Sequence, residues 1–143
     1  MFKILCHCGA CSIELFDGEP TLSLFCGCED CRQAIDWGAK NGGKPSAPFA
    51  EPIYMKSDIA GVEGRDKMKA VQLRNDARST RDYCKECNAI LDIDHLNYSN
   101  NVFMFFNGPW SGPVRACHAH AHPLAVCIMC TPPPRCSPRR EPR

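Results

Sequence analysis

Hydrophobic and polar positions along the chain alternate in short bursts, the mark of half-buried strands. Phe2–Leu5 is a brief apolar run, and Ser12–Phe16 sets Ile13 and Leu15 on one face with Glu14 on the other. Thr21–Phe25 alternates likewise, and Asp17-Gly18 with Pro20 supplies a turn between the two. Pro52–Lys56, Met68–Leu73, Ala89–Ile93 and Val102–Phe106 read as further strands. One helix is expected at Asp30–Trp37, capped by Asp30, with Gly38 just past its end. Gly38–Pro52 is rich in Gly, Pro and small residues and reads as a long loop. From Gly108 the pattern fails, passing through His-Ala repeats to Pro132-Pro133-Pro134 and a run of arginines. The expectation is a mainly β domain over residues 1–108, an atypical Cys/His segment over 109–130 and a basic, disordered Pro/Arg tail over 131–143.

With 143 residues, 44% of them hydrophobic, the chain has material for one packed domain. A net charge of +1 argues against bulk nucleic acid as a partner, although the tail sets Arg135, Arg139, Arg140 and Arg143 against Glu141 alone. No apolar run approaches the ~18 residues that span a membrane, and Met1–Cys11 lacks the apolar stretch of a signal peptide. A cytoplasmic address is expected, with the nucleus as the alternative. The outlying number is cysteine, 12 of 143. In a reducing compartment clustered cysteines are metal ligands rather than disulfides.

Three groups carry that chemistry: Cys6-His7-Cys8, Cys26-Gly27-Cys28-Glu29-Asp30-Cys31, and Cys84-Lys85-Glu86-Cys87. Zinc holds thiolates at roughly 2.3 Å in a tetrahedron, so two sulfurs on one ion must come within about 4 Å. A CxxC achieves this by curling into a knuckle, and a CxC by ending a strand in a turn. Gly9 and Gly27 ease such bends, and Asn88 is among the few residues that tolerate positive φ after the third group. Seven cysteines divide as four plus three: a closed structural site and a site with one position left for water or substrate. Spacing leaves the partition open, and an eight-ligand arrangement with Cys11 or a histidine remains an alternative.

Taken with Cys6-His7-Cys8-Gly9-Ala10, Cys26-x-Cys28-x-x-Cys31-Arg32 and Arg81-Asp82-Tyr83-Cys84-x-x-Cys87, the chain resembles the family of glutathione-dependent formaldehyde-activating enzymes and centromere protein V, from about Phe2 to Gly108. The resemblance implies a small zinc-bound β-tent fold and two zinc ions. It assigns Cys6, Cys8, Cys84 and Cys87 to a structural zinc, and Cys26, Cys28 and Cys31 to a second, catalytic one. It implies a carbon–sulfur lyase that joins glutathione, or another small thiol, to formaldehyde or another small aldehyde, giving S-hydroxymethylglutathione. The alternative is a non-enzymatic zinc-stabilised module that binds a protein or chromatin. The chain departs from the family pattern at Cys11, expected as a core-facing thiol, at Asn88 in place of glycine, and throughout Gly108–Arg143.

Three thiolates on zinc(II) make a cluster of net −1, a weak Lewis acid better suited to binding a fourth thiolate than to making hydroxide. A thiol bound there ionises and can attack a small carbonyl. Glu29 and Asp30, inside the metal loop, are candidate proton shuttles or plain solvated carboxylates. Arg32, Lys40 and Lys44 are candidates for glutathione's carboxylates, while Arg32, Lys3, Arg81 and Lys85 could instead offset the negative clusters. His7 and His95 are expected at the surface, and Trp37, Phe103, Phe105 and Phe106 in packing, with Trp110. His118, His120 and His122 alternate and, with Cys117, Cys127 and Cys130, form a weaker candidate third metal site.

Overall fold

The structure, a computed structural model, describes residues 1–107 and the backbone of a strand at Ala125–Ile128. The described chain is mainly β. Its elements are β1 (Phe2–Leu5), β2 (Ser12–Leu15), β3 (Pro20–Cys26), α1 (Glu29–Lys40), β4 (Pro52–Lys56), β5 (Ile59–Glu63), β6 (Met68–Val71), β7 (Ser79–Cys84), β8 (Ile90–His95), β9 (Val102–Phe106) and β10 (Ala125–Ile128). They form three small sheets, ordered β1-β2-β5, β10-β3-β4-β9 and β6-β7-β8. All pairings are antiparallel except β10 on β3, which is parallel.

Two cores flank the sheet that contains β4 and β9. Successive side chains of a strand point to opposite faces. Phe103 and Phe105 therefore enter one core, with Ile4, Leu15, Met55, Cys6 and Cys84, and Met104 and Phe106 enter the other, with Ala34, Ile35, Tyr83 and Ile93. Neighbours on β7 divide the same way, Tyr83 facing the helix core and Cys84 the other. The Tyr83 hydroxyl, fully buried, donates to the Ala34 carbonyl at 2.9 Å and ties β7 to α1.

The helix is longer than its sequence pattern predicts, and its ends differ. Its N-cap is Cys28, and Asp30 lies inside the first turn rather than capping it. Gly38 is not beyond the helix but inside it and buried, because a Cβ there would come within 3.2 Å of the Asn88 carbonyl oxygen. The helix ends at Asn41, whose N–H reaches the Trp37 and Gly38 carbonyls. Glu29 and Asp30 at its start and Lys40 at its end suit the helix dipole. The long loop accordingly begins at residue 41. Strands β5 and β7 lie where no strand is predicted, and β8 starts one residue later and runs two residues further than its pattern suggests. The segments 109–130 and 131–143 fall outside the described residues, save the backbone of β10, and with them Trp110, Cys117, His118, His120, His122 and Cys130.

Candidate metal centres

Two turns far apart in sequence meet at the first centre. After β1 the chain bends through Gly9, at φ +75°, with Gly9 N–H donating to the Cys6 carbonyl at 3.1 Å. After β7 it bends at Asn88, at φ +54°, with Asn88 N–H donating to the Cys84 carbonyl at 3.0 Å. Both are knuckles that turn two thiols toward one point, and positive φ at Asn88 is what that residue was expected to supply. The sulfurs of Cys6, Cys8, Cys84 and Cys87 all lie within 4.8 Å of one another. Cys6 and Cys8 are 3.5 Å apart and Cys8 and Cys84 3.7 Å. A zinc tetrahedron with 2.3 Å bonds has edges of about 3.8 Å, so the donor set fits a tetrathiolate metal.

Cys6 and Cys84 are buried, Cys87 is half-buried and Cys8 is exposed. Burial pushes the Cys6 thiol far up. Cys11 is buried beside it: its N–H donates to the Cys6 sulfur at 3.2 Å, and burial pushes its thiol up to about 12. It lies outside the four-sulfur group, as a core thiol does.

The second centre is local. β3 ends at Cys26, whose backbone is paired both ways with Ala50 at 2.8 and 2.9 Å. The chain then turns through Gly27, where a Cβ would press on the Phe49 ring at 3.0 Å. Cys28 is the N-cap of α1 and Cys31 sits in its first turn. The three sulfurs converge within 4.8 Å of one another at the positive end of the helix. A thiol hydrogen bond from Cys31 draws the Cys28 thiol down to about 5, while the same bond, with burial, pushes Cys31 far up. Three soft donors leave a tetrahedral cation one coordination position.

The groups around this loop are sorted by their contacts. Asp30, half exposed, pairs with Arg74 at 2.6 Å. Glu29 accepts from Gln33 at 2.8 Å. Arg81 is buried and donates to the Asp30 and Ser79 carbonyls at 3.2 and 3.5 Å, with Nε unpartnered. It thereby grips the residue just before Cys31. Arg32, Lys40 and Lys44 are exposed. Lys3 pairs with Glu63 at 2.8 Å, and Lys85 donates to the Asp66 carbonyl at 2.6 Å. His7 is half-buried and lines a small cleft with Lys44, Gly38 and Asn88, in place of the surface position expected for it. His95 accepts from Asn97 N–H at 3.0 Å and packs on Tyr98. Trp37 packs against Tyr83, their centroids 4.3 Å apart.

Two features had no sequence signal beyond strand alternation. Tyr54 on β4 and Tyr98 after β8 pack against the helix core that Cys31 also contacts. On the face of β6-β7-β8 away from the helix core, Asp82 stands directly opposite Asp92, and Thr80 opposite Asp94. With Ser57, Ile59 and Phe103 they line a cavity of about 360 Å³. Burial, then the Asp82 and Asp94 carboxylates, raise Asp92 to about 7, against a hydrogen bond from the Ile93 backbone.

The sequence model of the family described as "Glutathione-dependent formaldehyde-activating enzyme" matches residues 1–106. A comparison with curated proteins finds no match. Among solved structures, a crystal structure of a Rhodobacter sphaeroides protein is similar at 22% identity, covering 71% of this chain and 81% of its own, with a TM-score of 0.45. No helix among the described residues is long and apolar enough to cross a membrane.

Proposed function

The chain belongs to the glutathione-dependent formaldehyde-activating enzyme family, and from that membership we propose that it is a zinc-dependent carbon–sulfur lyase forming S-hydroxymethylglutathione from glutathione and formaldehyde. In this reading Cys6, Cys8, Cys84 and Cys87 hold a structural zinc, and Cys26, Cys28 and Cys31 hold a second. The observation that carries the reading is the convergence of three sulfurs at the start of α1 with no fourth protein donor among the described residues. The second ion, when bound, supplies acidity to an incoming thiol and a fixed position for its sulfur.

The chain's own residues do the rest. Cys28 and Cys31 are presented by the N-cap and first turn of a helix anchored at Asp30, Ala34 and Asn41, so the donor set is preorganised. The substrate thiolate attacks the aldehyde carbon, the carbonyl electron pair moves to oxygen, and that oxygen takes a proton from water. Exposed Arg32, Lys40 and Lys44 supply positive charge for the carboxylates of glutathione. Exchange NMR of glutathione with formaldehyde tests the reading. Formation and breakdown of the adduct should run faster with the protein than with Cys28→Ala at matched concentration. Equal rates in both, with the wild-type chain carrying its full two equivalents of metal, would refute the enzyme and leave the binding module.

A further inference from the structure

We propose that the Cys26–Cys28–Cys31 loop has a second chemistry, exchange with low-molecular-weight disulfides: Cys28 and Cys31 close into a disulfide, and the loop gives up its cation. The proposal rests on the second metal centre of the reading above and not on the lyase activity. It starts from spacing and position. Cys28 is the N-cap of α1 and Cys31 lies in its first turn, which the Arg32 N–H closes by donating to the Cys28 carbonyl at 3.0 Å. One helical turn sets residues three apart with Cα atoms at roughly 5 Å, inside the span that a disulfide bridges. The two sulfurs already lie within 4.8 Å of each other, so the bond needs side-chain rotation and little backbone movement. The Cys28 side chain makes no capping hydrogen bond that such a rotation would break.

Access separates the cysteines. Cys28 and Cys31 are half-buried, so a disulfide in solution reaches them. Cys26 is buried, and its backbone is paired both ways with Ala50, which holds it out of the exchange. Cys84-x-x-Cys87 has the same spacing on a different support. Cys84 is fully buried at the end of β7, in one core with Cys6, Ile4 and Phe105, and oxidising it requires opening that core. Cys8 of that centre is exposed, but its near neighbours are the buried Cys6 and Cys84, at 3.5 and 3.7 Å. Exposed Arg32, next to Cys31, offers positive charge to the carboxylates of an anionic disulfide such as that of glutathione.

The steps balance. A metal-bound cysteine is already a thiolate, so no proton has to be removed. The Cys28 sulfur attacks one sulfur of glutathione disulfide; a new S–S bond forms, the original one breaks, and one glutathione leaves as thiolate. The Cys31 sulfur then attacks the Cys28 sulfur of the mixed disulfide, and the second glutathione leaves as thiolate. Cys28 and Cys31 are oxidised by one electron each, and glutathione disulfide takes both electrons. With two of its three donors spent, the loop releases its cation. Excess glutathione runs the same steps backward and restores the thiolates. The loading of this centre therefore follows the ratio of a thiol to its disulfide, while the buried centre stays filled.

The test uses the zinc-loaded full chain without oxygen, glutathione disulfide as oxidant, and a chromogenic chelator too weak to strip either centre unaided. Acid-quenched digests are mapped by mass spectrometry. One of two equivalents of zinc should be released, with Cys28 joined to Cys31, with Cys6, Cys8, Cys84 and Cys87 unmodified, and with the circular dichroism spectrum unchanged. Glutathione and zinc should then restore both equivalents. In Cys31→Ser the reaction should stop with glutathione on Cys28, and in Cys28→Ser the remaining Cys31 should react about tenfold more slowly. Release of no zinc, or of both equivalents together, would overturn the proposal. So would a disulfide joining Cys28 to any cysteine other than Cys31, or equal reactivity of the two variants. A chain that holds a single equivalent of zinc would refute the second metal centre, and the mapping would still decide whether Cys28 and Cys31 exchange.

Discussion

Asp92→Asn should stabilise the protein, and more so as pH rises. Asp92 is held opposite Asp82 and next to Asp94 at the rim of the cavity, and burial with those two charges raises it from its ordinary 3.8 to about 7. A carboxyl that is harder to ionise in the folded state binds more protons there than in the unfolded chain. Stability is therefore highest near pH 4 on this account, falls as pH climbs through the window between the two values, and levels off above about 7. At about 1.4 kcal/mol per pH unit the alkaline penalty is on the order of 2–4 kcal/mol once hydration of the open cavity is allowed for. Asparagine keeps the size and the acceptor for the Ile93 N–H and removes the titration. Urea unfolding of the zinc-loaded pair at pH 5.5 and 8.5 measures the difference. Metal loss at low pH affects both proteins alike and cancels between them. The stabilisation by Asp92→Asn should grow by about 2 kcal/mol from the lower to the higher pH. A constant difference, or one that shrinks, would show that Asp92 ionises freely and would refute the reasoning.

Three other changes probe the scaffold. Cys84→Ala should leave the domain unfolded at ordinary temperature, since structural metal binding is coupled to folding, whereas Cys28→Ala should keep its circular dichroism spectrum and lose one of two equivalents of zinc by mass spectrometry. Tyr83→Phe removes the 2.9 Å bond to the Ala34 carbonyl from a buried site and should cost about 1–2 kcal/mol in denaturant unfolding, with no loss of metal. Gly64→Ala should be far worse than an ordinary surface change, more than about 3 kcal/mol by the same assay, because at φ +66° its Cβ would overlap the Ala10 carbonyl oxygen beside the Cys6–Cys8 turn.

The cysteine groups were readable because a metal knuckle is a local object: Cys26, Cys28 and Cys31 need only a turn and the first coil of a helix to converge. That Cys6 and Cys8 meet Cys84 and Cys87 is not local: counting ligands allows it, and likeness to a family singles it out. Strands with one wetter face, such as β2 and β3, announced themselves by alternation. β7 did not, because its buried arginine and its aspartates break the apolar pattern: Arg81 is buried for its grip on the Asp30 carbonyl, and Asp82 faces the cavity. β5 escaped because at the sheet edge its side chains are only partly covered. The extent of α1 escaped because Gly38 carries the usual sign of a helix end, and only the neighbouring knuckle makes glycine necessary inside it.

Asn88 closes the CxxC knuckle, and its side chain donates to the Asn41 carbonyl at 2.6 Å and accepts from Lys69 at 2.8 Å. The last turn of the helix that begins at Cys28 is therefore latched to the turn that carries Cys87. The two cysteine centres are thus mechanically joined through one side chain: a substitution at residue 88 that breaks this latch would be felt along α1 toward Cys28 and Cys31 as well as at the knuckle that carries Cys84 and Cys87.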